Sequence, residues 1–172
     1  MEMMVLSVVG SDRPGLTKAL AAAVVSAGGN WLQSHLSQLG GLYVGSVLVA
    51  LEASGVEALR AAVSTVDAHG LDVRLVPATP APGVAGEDFH FGLVGQDRPG
   101  IVSQVTEVLS RLGANIETFE TWITDEPYSG IALFHMETGL RLPPGLRASD
   151  VQAALEAISA EIMVDISLKV AG

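Results

Sequence analysis

The 172-residue sequence contains no cysteine. That excludes disulfides, thiolate nucleophiles and cysteine-based zinc sites, and it fits a reducing compartment. Basic residues are scarce: nine lysines and arginines stand against nineteen acidic residues, a formal charge of −10. Direct docking on nucleic acid calls for a basic patch, and the few basic residues here are scattered, so no direct nucleic-acid contact is expected. Aromatic residues make up 5% of the chain, so Ala, Val, Leu and Gly must supply the core. No apolar run reaches the ~18 residues of a membrane span. Met1 to Val5 carry no basic segment and lead straight into a strand pattern, so neither a secretion signal nor a membrane partner is expected, and the expected location is cytoplasmic. What remains is 49% hydrophobic and 16% charged, the composition of a folded chain.

One short stretch occurs twice. It reads Val9-Gly10-Ser11-Asp12-Arg13-Pro14-Gly15-Leu16 and again Val94-Gly95-Gln96-Asp97-Arg98-Pro99-Gly100-Ile101. Each copy ends an apolar run and opens a helix-like pattern, which makes it a strand-to-helix elbow. Proline suits the first helical position, where a missing N–H costs nothing. The arginine before it has no acceptor with which to cap the helix. Two readings follow. In one, Asp12 and Asp97 reach over and cap the free N–H groups, and the elbow is a structural turn. In the other, the N–H groups and the positive end of the helix dipole await an anion, and the glycine lets a ligand come close.

The pattern along the chain is regular. Residues 3–9 read as a strand, 14–27 as a helix ended by Gly28-Gly29, and 30–39 and 42–51 as strands joined by a Gly40-Gly41 hairpin. Ser54 with Glu57 has capping-box spacing before a helix carrying Val56, Leu59, Val63 and Val66, closed by His69-Gly70. Residues 71–76 are a fourth strand. In the third strand Val47 and Val49 face opposite Leu48 and Ala50, so both faces are apolar and burial on two sides is implied, by the other half or another subunit. A Pro/Gly/Ala linker at 78–87 divides residues 1–77 from 88–172. The second half repeats the first at a shift of 85 residues: Asp12 to Asp97, Gly28 to Gly113, Asn30 to Asn115, Tyr43 to Tyr128, Gly45 to Gly130 and Glu52 to Glu137. On this reading no gap is needed through the third strand, and residues 139–147 form a longer loop before a helix opening at Ser149 or Asp150. The last strand is 162–170. The fold class is therefore α+β: two tandem ferredoxin-like βαββαβ units, each a four-stranded antiparallel sheet with two helices on one face.

A βαββαβ unit with an Asp-x-Pro-Gly elbow, and Gly-x-Asn where helix one meets strand two, resembles the ACT domain. Both motifs are present twice, as Asp12-Arg13-Pro14-Gly15 with Gly28-Gly29-Asn30 and as Asp97-Arg98-Pro99-Gly100 with Gly113-Ala114-Asn115. Two such units without a catalytic domain resemble the glycine cleavage system transcriptional repressor group. The resemblance implies a non-enzymatic regulator that binds a small amino acid, glycine or serine favoured, between paired ACT domains. It places the contacts at Ser11, Asp12, Pro14, Gly15, Leu16 and Asn30, and at Gln96, Asp97, Pro99, Gly100, Ile101 and Asn115. It also implies a homodimer and a protein partner such as a transcription factor, with no cofactor. Trp31, standing where the second half has Ile116, is bulky enough to fill one of two equivalent pockets.

Other constellations lead less far. The Gly10/Gly15 and Gly95/Gly100 spacings match a phosphate loop, but Leu16-Thr17 and Ile101-Val102 stand where Lys-Ser/Thr is required. The histidines at 35, 69, 90 and 135 lack a ligand set; His90 and His135, on neighbouring strands with Asp88 nearby, read as structural. Asp125-Glu126 before Pro127 reads as a solvated turn, and Glu52 and Glu137 as edge charges. A ligand-free interaction protein and an enzyme on the same scaffold are the alternatives.

Overall fold

A computed structural model describes residues 1–67, 70–79, 86–126, 130–162 and 164–170. For residues 67, 160–162, 164–166 and 168–170 the description is of the backbone. Outside the described residues lie His69, Pro127, Tyr128 and positions 80–85 of the expected linker. The chain divides into two units, Met1–Pro80 and Ala81–Gly172. The first runs β1 (Glu2–Ser11), α1 (Leu16–Ser26), β2 (Asn30–Leu39), β3 (Leu42–Leu51), α2 (Val56–Asp67) and β4 (Leu71–Pro77). The second runs β5 (Glu87–Gln96), α3 (Ile101–Arg111), β6 (Asn115–Asp125), β7 (Ala132–Leu142), α4 (Ala148–Ile162) and β8 (Val164–Val170). The sheets have the order β2-β3-β1-β4 and β6-β7-β5-β8, and every pairing is antiparallel. This is the expected ferredoxin-like arrangement.

Alternation along the strands builds each core. Met4, Leu6 and Val8 of β1 and Val47, Val49 and Leu51 of β3 are buried with Leu16, Leu20 and Val24 of α1 and Leu59 and Val63 of α2. In the second unit Phe89, Phe91 and Leu93 meet Val105, Leu109, Val151 and Leu155. Trp31 packs against the first core and Ile116 against the second. The indole thus lies on the helix side of its sheet. Helix α1 closes on Gly28 at φ +72°, with Gly28 and Gly29 N–H groups donating to Val25 and Val24 carbonyls at 3.0 and 2.9 Å. That is a left-handed cap at the expected helix end, and Gly113 has the same φ.

Three expectations are corrected. The 85-residue shift holds through β2 but fails in the third strands. Val47 lies opposite Leu6, whereas Thr138 lies opposite Phe91, so β3 and β7 correspond at a shift of 91. The β2–β3 hairpin turns on Gly40-Gly41, while β6 and β7 are joined by residues 126–131. Tyr43 therefore corresponds to Phe134, and the pairings of Tyr43, Gly45 and Glu52 with positions 128, 130 and 137 fail. Register follows the inward-facing apolar set, and one hairpin insertion carries the whole strand with it. Second, residues 139–142 are strand, with Leu140 and Leu142 both 1% exposed. The loop before α4 is only residues 143–147, and the Arg147 backbone N–H donates to the Asp150 carboxylate at 3.1 Å. Glu137 accordingly sits inside a central strand and is no edge charge. Third, Ser54 lies in a 3-10 turn, Ala53–Gly55, and is not the cap of α2. Gly55 is pressed on the end of α1, where a methyl group would stand 2.6 Å from the Ala27 carbonyl oxygen.

Gly45 gives the sharpest constraint on register. It has φ +147°, and a methyl group there would lie 1.9 Å from the His35 carbonyl oxygen. Gly40 also has positive φ, +59°, but nothing within 4 Å. Gly45→Ala should cost more than ~3 kcal/mol and Gly40→Ala about 1 kcal/mol in urea unfolding. Equal losses would contradict the close strand approach.

Candidate functional site

The elbow geometry starts with Pro-Gly. Gly15 has φ +95° and ψ −3°, and Gly100 φ +93° and ψ −5°. These are the angles of the third position of a type II turn, whose second position favours proline. Pro14 and Pro99 therefore belong to the turn and do not occupy the first helical position. The helices begin one turn residue later, at Leu16 and Ile101. The Gly15 carbonyl accepts from Ala19 N–H at 2.9 Å and the Gly100 carbonyl from Gln104 N–H at 3.0 Å.

Neither helix has a side-chain cap. The N-cap residues are Gly15 and Gly100, and among the described residues Asp12 and Asp97 make no capping hydrogen bond, so the cap expected on the structural reading is not formed. Their backbone N–H groups instead tie the elbow to the hairpin, donating to the Gly41 carbonyl at 3.3 Å and the Ala132 carbonyl at 2.9 Å. The first three N–H groups of α1 (Leu16, Thr17, Lys18) and α3 (Ile101, Val102, Ser103) have no intrahelical acceptor by geometry. First-turn acids sharpen the contrast. Helices α2 and α4 carry Glu57 and Asp150 there, whereas α1 and α3 carry none. Two helix starts are charge-balanced and two are left positive.

The expected contact residues fall into two groups in each unit. Ser11, Asp12, Pro14 and Gly15 are exposed at the elbow, as are Gln96, Asp97, Pro99 and Gly100. Leu16 and Ile101 are 4% and 2% exposed, so they can offer a ligand only backbone. Asn30 and Asn115 lie elsewhere. Asn30 pairs with Ala50, beside Met3, whereas the elbow follows Ser11, which pairs with Leu42. Eight residues of β1 separate the two ends, ~26 Å at ~3.3 Å per residue. A free amino acid is about one residue long, ~3.8 Å between α-carbons. The elbow and the asparagine of one unit cannot hold the same molecule.

The two elbows differ beyond their shared backbone. Arg98 donates to Gln104 Oε1 at 2.8 Å. The position corresponding to Gln104 is Ala19, and Arg13 is exposed beside an open groove of about 670 Å³, within the ~300–1,000 Å³ range of small-molecule sites. Its floor is Ala19, Ala22, Ala23 and Ser26 of α1 with Ala62 and Val66 of α2. Elsewhere on α1, Thr17 Oγ1 and the Tyr43 hydroxyl share a hydrogen bond of 2.7 Å; the corresponding residues of the second unit are Val102 and Phe134. Sequence reasoning passed over this groove. Its signal was the alanine and serine spacing at 19, 22, 23 and 26, which reads first as ordinary helix interior.

The open face of the second sheet is charged. Arg141 donates to Asp88 at 2.7 and 3.2 Å and pairs with Glu117 at 3.2 Å. His90 is bonded to Glu137. His135 shares a 2.7 Å hydrogen bond with Thr124 and stacks on Trp122 at 5.1 Å. Among the described residues no three His, Cys, Asp or Glu side chains are placed to hold a metal.

The ACT-domain family matches residues 2–76 and again residues 92–161. The chain belongs to the ACT-domain family. Its two ACT units align along 95% of the chain with phosphoserine phosphatase SerB2 of Mycobacterium tuberculosis at 30% identity. The chain spans 40% of that protein's length. A crystal structure of an unknown protein from Galdieria sulphuraria is 31% identical, covers 99% of both chains and has a TM-score of 0.83. The crystal structure of a candidate glycine cleavage system transcriptional repressor shares the ACT pair fold, with a TM-score of 0.72 over 98% of this chain and 96% of that one, at 18% identity. Among the described residues no helix is long and apolar enough to cross a membrane.

Two predictions test the site's local chemistry. Asp12→Ala and Asp97→Ala should each change unfolding free energy by less than ~0.5 kcal/mol, whereas a true cap would cost ~0.5–2 kcal/mol. Arg141 holds the Asp88 carboxyl below the usual carboxylate range, first through its hydrogen bond, against desolvation, and then through its charge. A depressed carboxylate stabilises the fold above its unfolded pKa, and that contribution is lost as pH falls through the folded pKa. Arg141→Gln should raise the Asp88 pKa in an NMR titration; an unchanged midpoint would contradict the pairing.

Proposed function

We propose that this ACT pair is a non-enzymatic, cytoplasmic regulatory module that binds a small amino acid and modulates a protein partner. The observation that carries the reading is the pair of helix starts, α1 and α3, that lack both a capping side chain and a first-turn acid. The ligand carboxylate lies on the elbow N–H groups. Its ammonium meets an acceptor, the amide oxygen of Asn30 or Asn115 or the carboxylate of Asp12 or Asp97. Because elbow and asparagine stand at opposite ends of one unit, a site whose ammonium acceptor is Asn30 or Asn115 takes its elbow from one copy of the chain and its asparagine from a second, and one whose acceptor is Asp12 or Asp97 is complete at a single elbow. For the asparagine-based site a homodimer is therefore a condition of binding.

Glycine and serine are the favoured ligands, since exposed Gly15 and Gly100 admit a small molecule. The likeness to a protein named phosphoserine phosphatase supports serine as the first to test. The shared fold with a candidate glycine cleavage repressor supports a partner that regulates transcription in amino-acid or one-carbon metabolism. With nine basic residues against nineteen acidic ones, this chain would act on such genes through that partner and not on DNA itself.

Isothermal titration against a panel of amino acids should give saturable binding with glycine or serine. Asn30→Ala or Asn115→Ala should weaken it by about tenfold, the loss of one hydrogen bond to a charged group, with unfolding unchanged. Silence across the whole panel would remove the ligand claim and leave an interaction module.

A further inference from the structure

We propose that the open face of the first sheet is a self-association surface that seats the same face of a second copy of this chain. The proposal stands apart from amino-acid binding at the elbows. The face turned away from α1 and α2 is apolar across its two central strands. Met3, Val5 and Val9 of β1 and Val44 and Leu48 of β3 alternate with the buried core residues, and Val76 of β4 extends the patch. Met3, Val9 and Val76 are 40%, 41% and 48% exposed.

The duplication shows that this chemistry is not imposed by the fold. The positions corresponding to Met3, Val5, Ser46 and Ala50 are Asp88, His90, Glu137 and Arg141. There the charges pair among themselves, Arg141 with Asp88 and His90 with Glu137. One frame thus carries a charged face that satisfies itself and an apolar face that does not.

Charge complementarity selects a second copy as the occupant. Among the described residues only two side chains carrying a full charge stand on the face, Asp72 and Arg74, both exposed on edge strand β4, while edge strand β2 adds the polar Gln33, His35 and Ser37. Arg74 lies beside Ser7, and Asp72 beside Val9, one step along the same face. A two-fold axis crossing the strands between these rows sets Asp72 of each copy over Arg74 of the other. The same axis lays Leu48 on the second copy's Leu42, which is 42% exposed. No charge is then buried alone, as a self-complementary interface requires. Four strands spaced ~4.8 Å and four paired rows of ~6.6 Å cover ~500 Å² per copy, ~1,000 Å² together, at the threshold of a specific interface. Aligned sheets stack in this manner with ~10 Å between them.

Sedimentation equilibrium of the full chain, with no amino acid added, tests the proposal. The native chain should dimerise. Asp72→Arg and Arg74→Asp should each weaken the dimer by about tenfold or more, since each sets like charges together. The double variant D72R/R74D should return to within about threefold of native, because reversal preserves the pairing. Both side chains are exposed, and unchanged circular dichroism checks the fold. A monomer at every concentration, a dimer indifferent to the single reversals, or a double variant no tighter than the weaker single would each overturn it. Indifference would place the contact on another surface, and a monomer would give this face to a different occupant.

Discussion

Everything at the candidate site depends on one backbone constraint: a glycine held in the left-handed region at the start of α1 and of α3. At φ +95° and +93°, Gly15 and Gly100 end a Pro-Gly turn and aim the helix axis before any side chain can cap it. A residue with a β-carbon would resist these angles. The turn takes the proline and the glycine, and the preceding aspartate makes no bond to the helix-start N–H groups. Its backbone is spent on the hairpin, at Gly41 or Ala132. The elbow is rigidly anchored on one side and electrostatically open on the other. That combination suits a binding site more than a turn, and it occurs twice.

Much of this was legible in the sequence. Period-two alternation in β1 and β3 and the Leu16/Leu20/Val24 spacing gave the layers and the core. Gly28-Gly29 and Gly113 gave the helix ends. What escaped had a physical cause in each case. Pro14 reads as a helix opener because proline is tolerated both there and in a type II turn, and only the sign of the glycine φ separates the two. The repeat reads past its true end because Tyr43/Tyr128 and Gly45/Gly130 match by residue type at the 85-residue shift. Register is decided by which side chains enter the core, and Thr138 and Phe134 enter at a shift of 91. The separation of Asn30 from its elbow followed from antiparallel order alone, since α1 must run back along the sheet before β2 begins.

Duplication supplies a control that a single domain lacks. The two units share elbows, caps and sheet order, so differences between them are not required by the fold. Arg98 is fastened to Gln104, while Arg13 stands exposed at the head of an alanine-floored groove. One open sheet face is apolar and the other is a ladder of internal ion pairs. The halves have kept the same backbone and diverged in what their surfaces can hold.

The central claim, as proposed, is that ligand recognition joins an elbow of one copy of the chain to an asparagine of a second copy. Amide resonances report both ends at once in a titration of the isotope-labelled chain with serine or glycine. The account predicts that the backbone amides of Leu16 to Lys18 or Ile101 to Ser103 shift together with the side-chain amide of Asn30 or Asn115, all with one dissociation constant. Shifts confined to the elbows, with both asparagine amides unmoved, would contradict it.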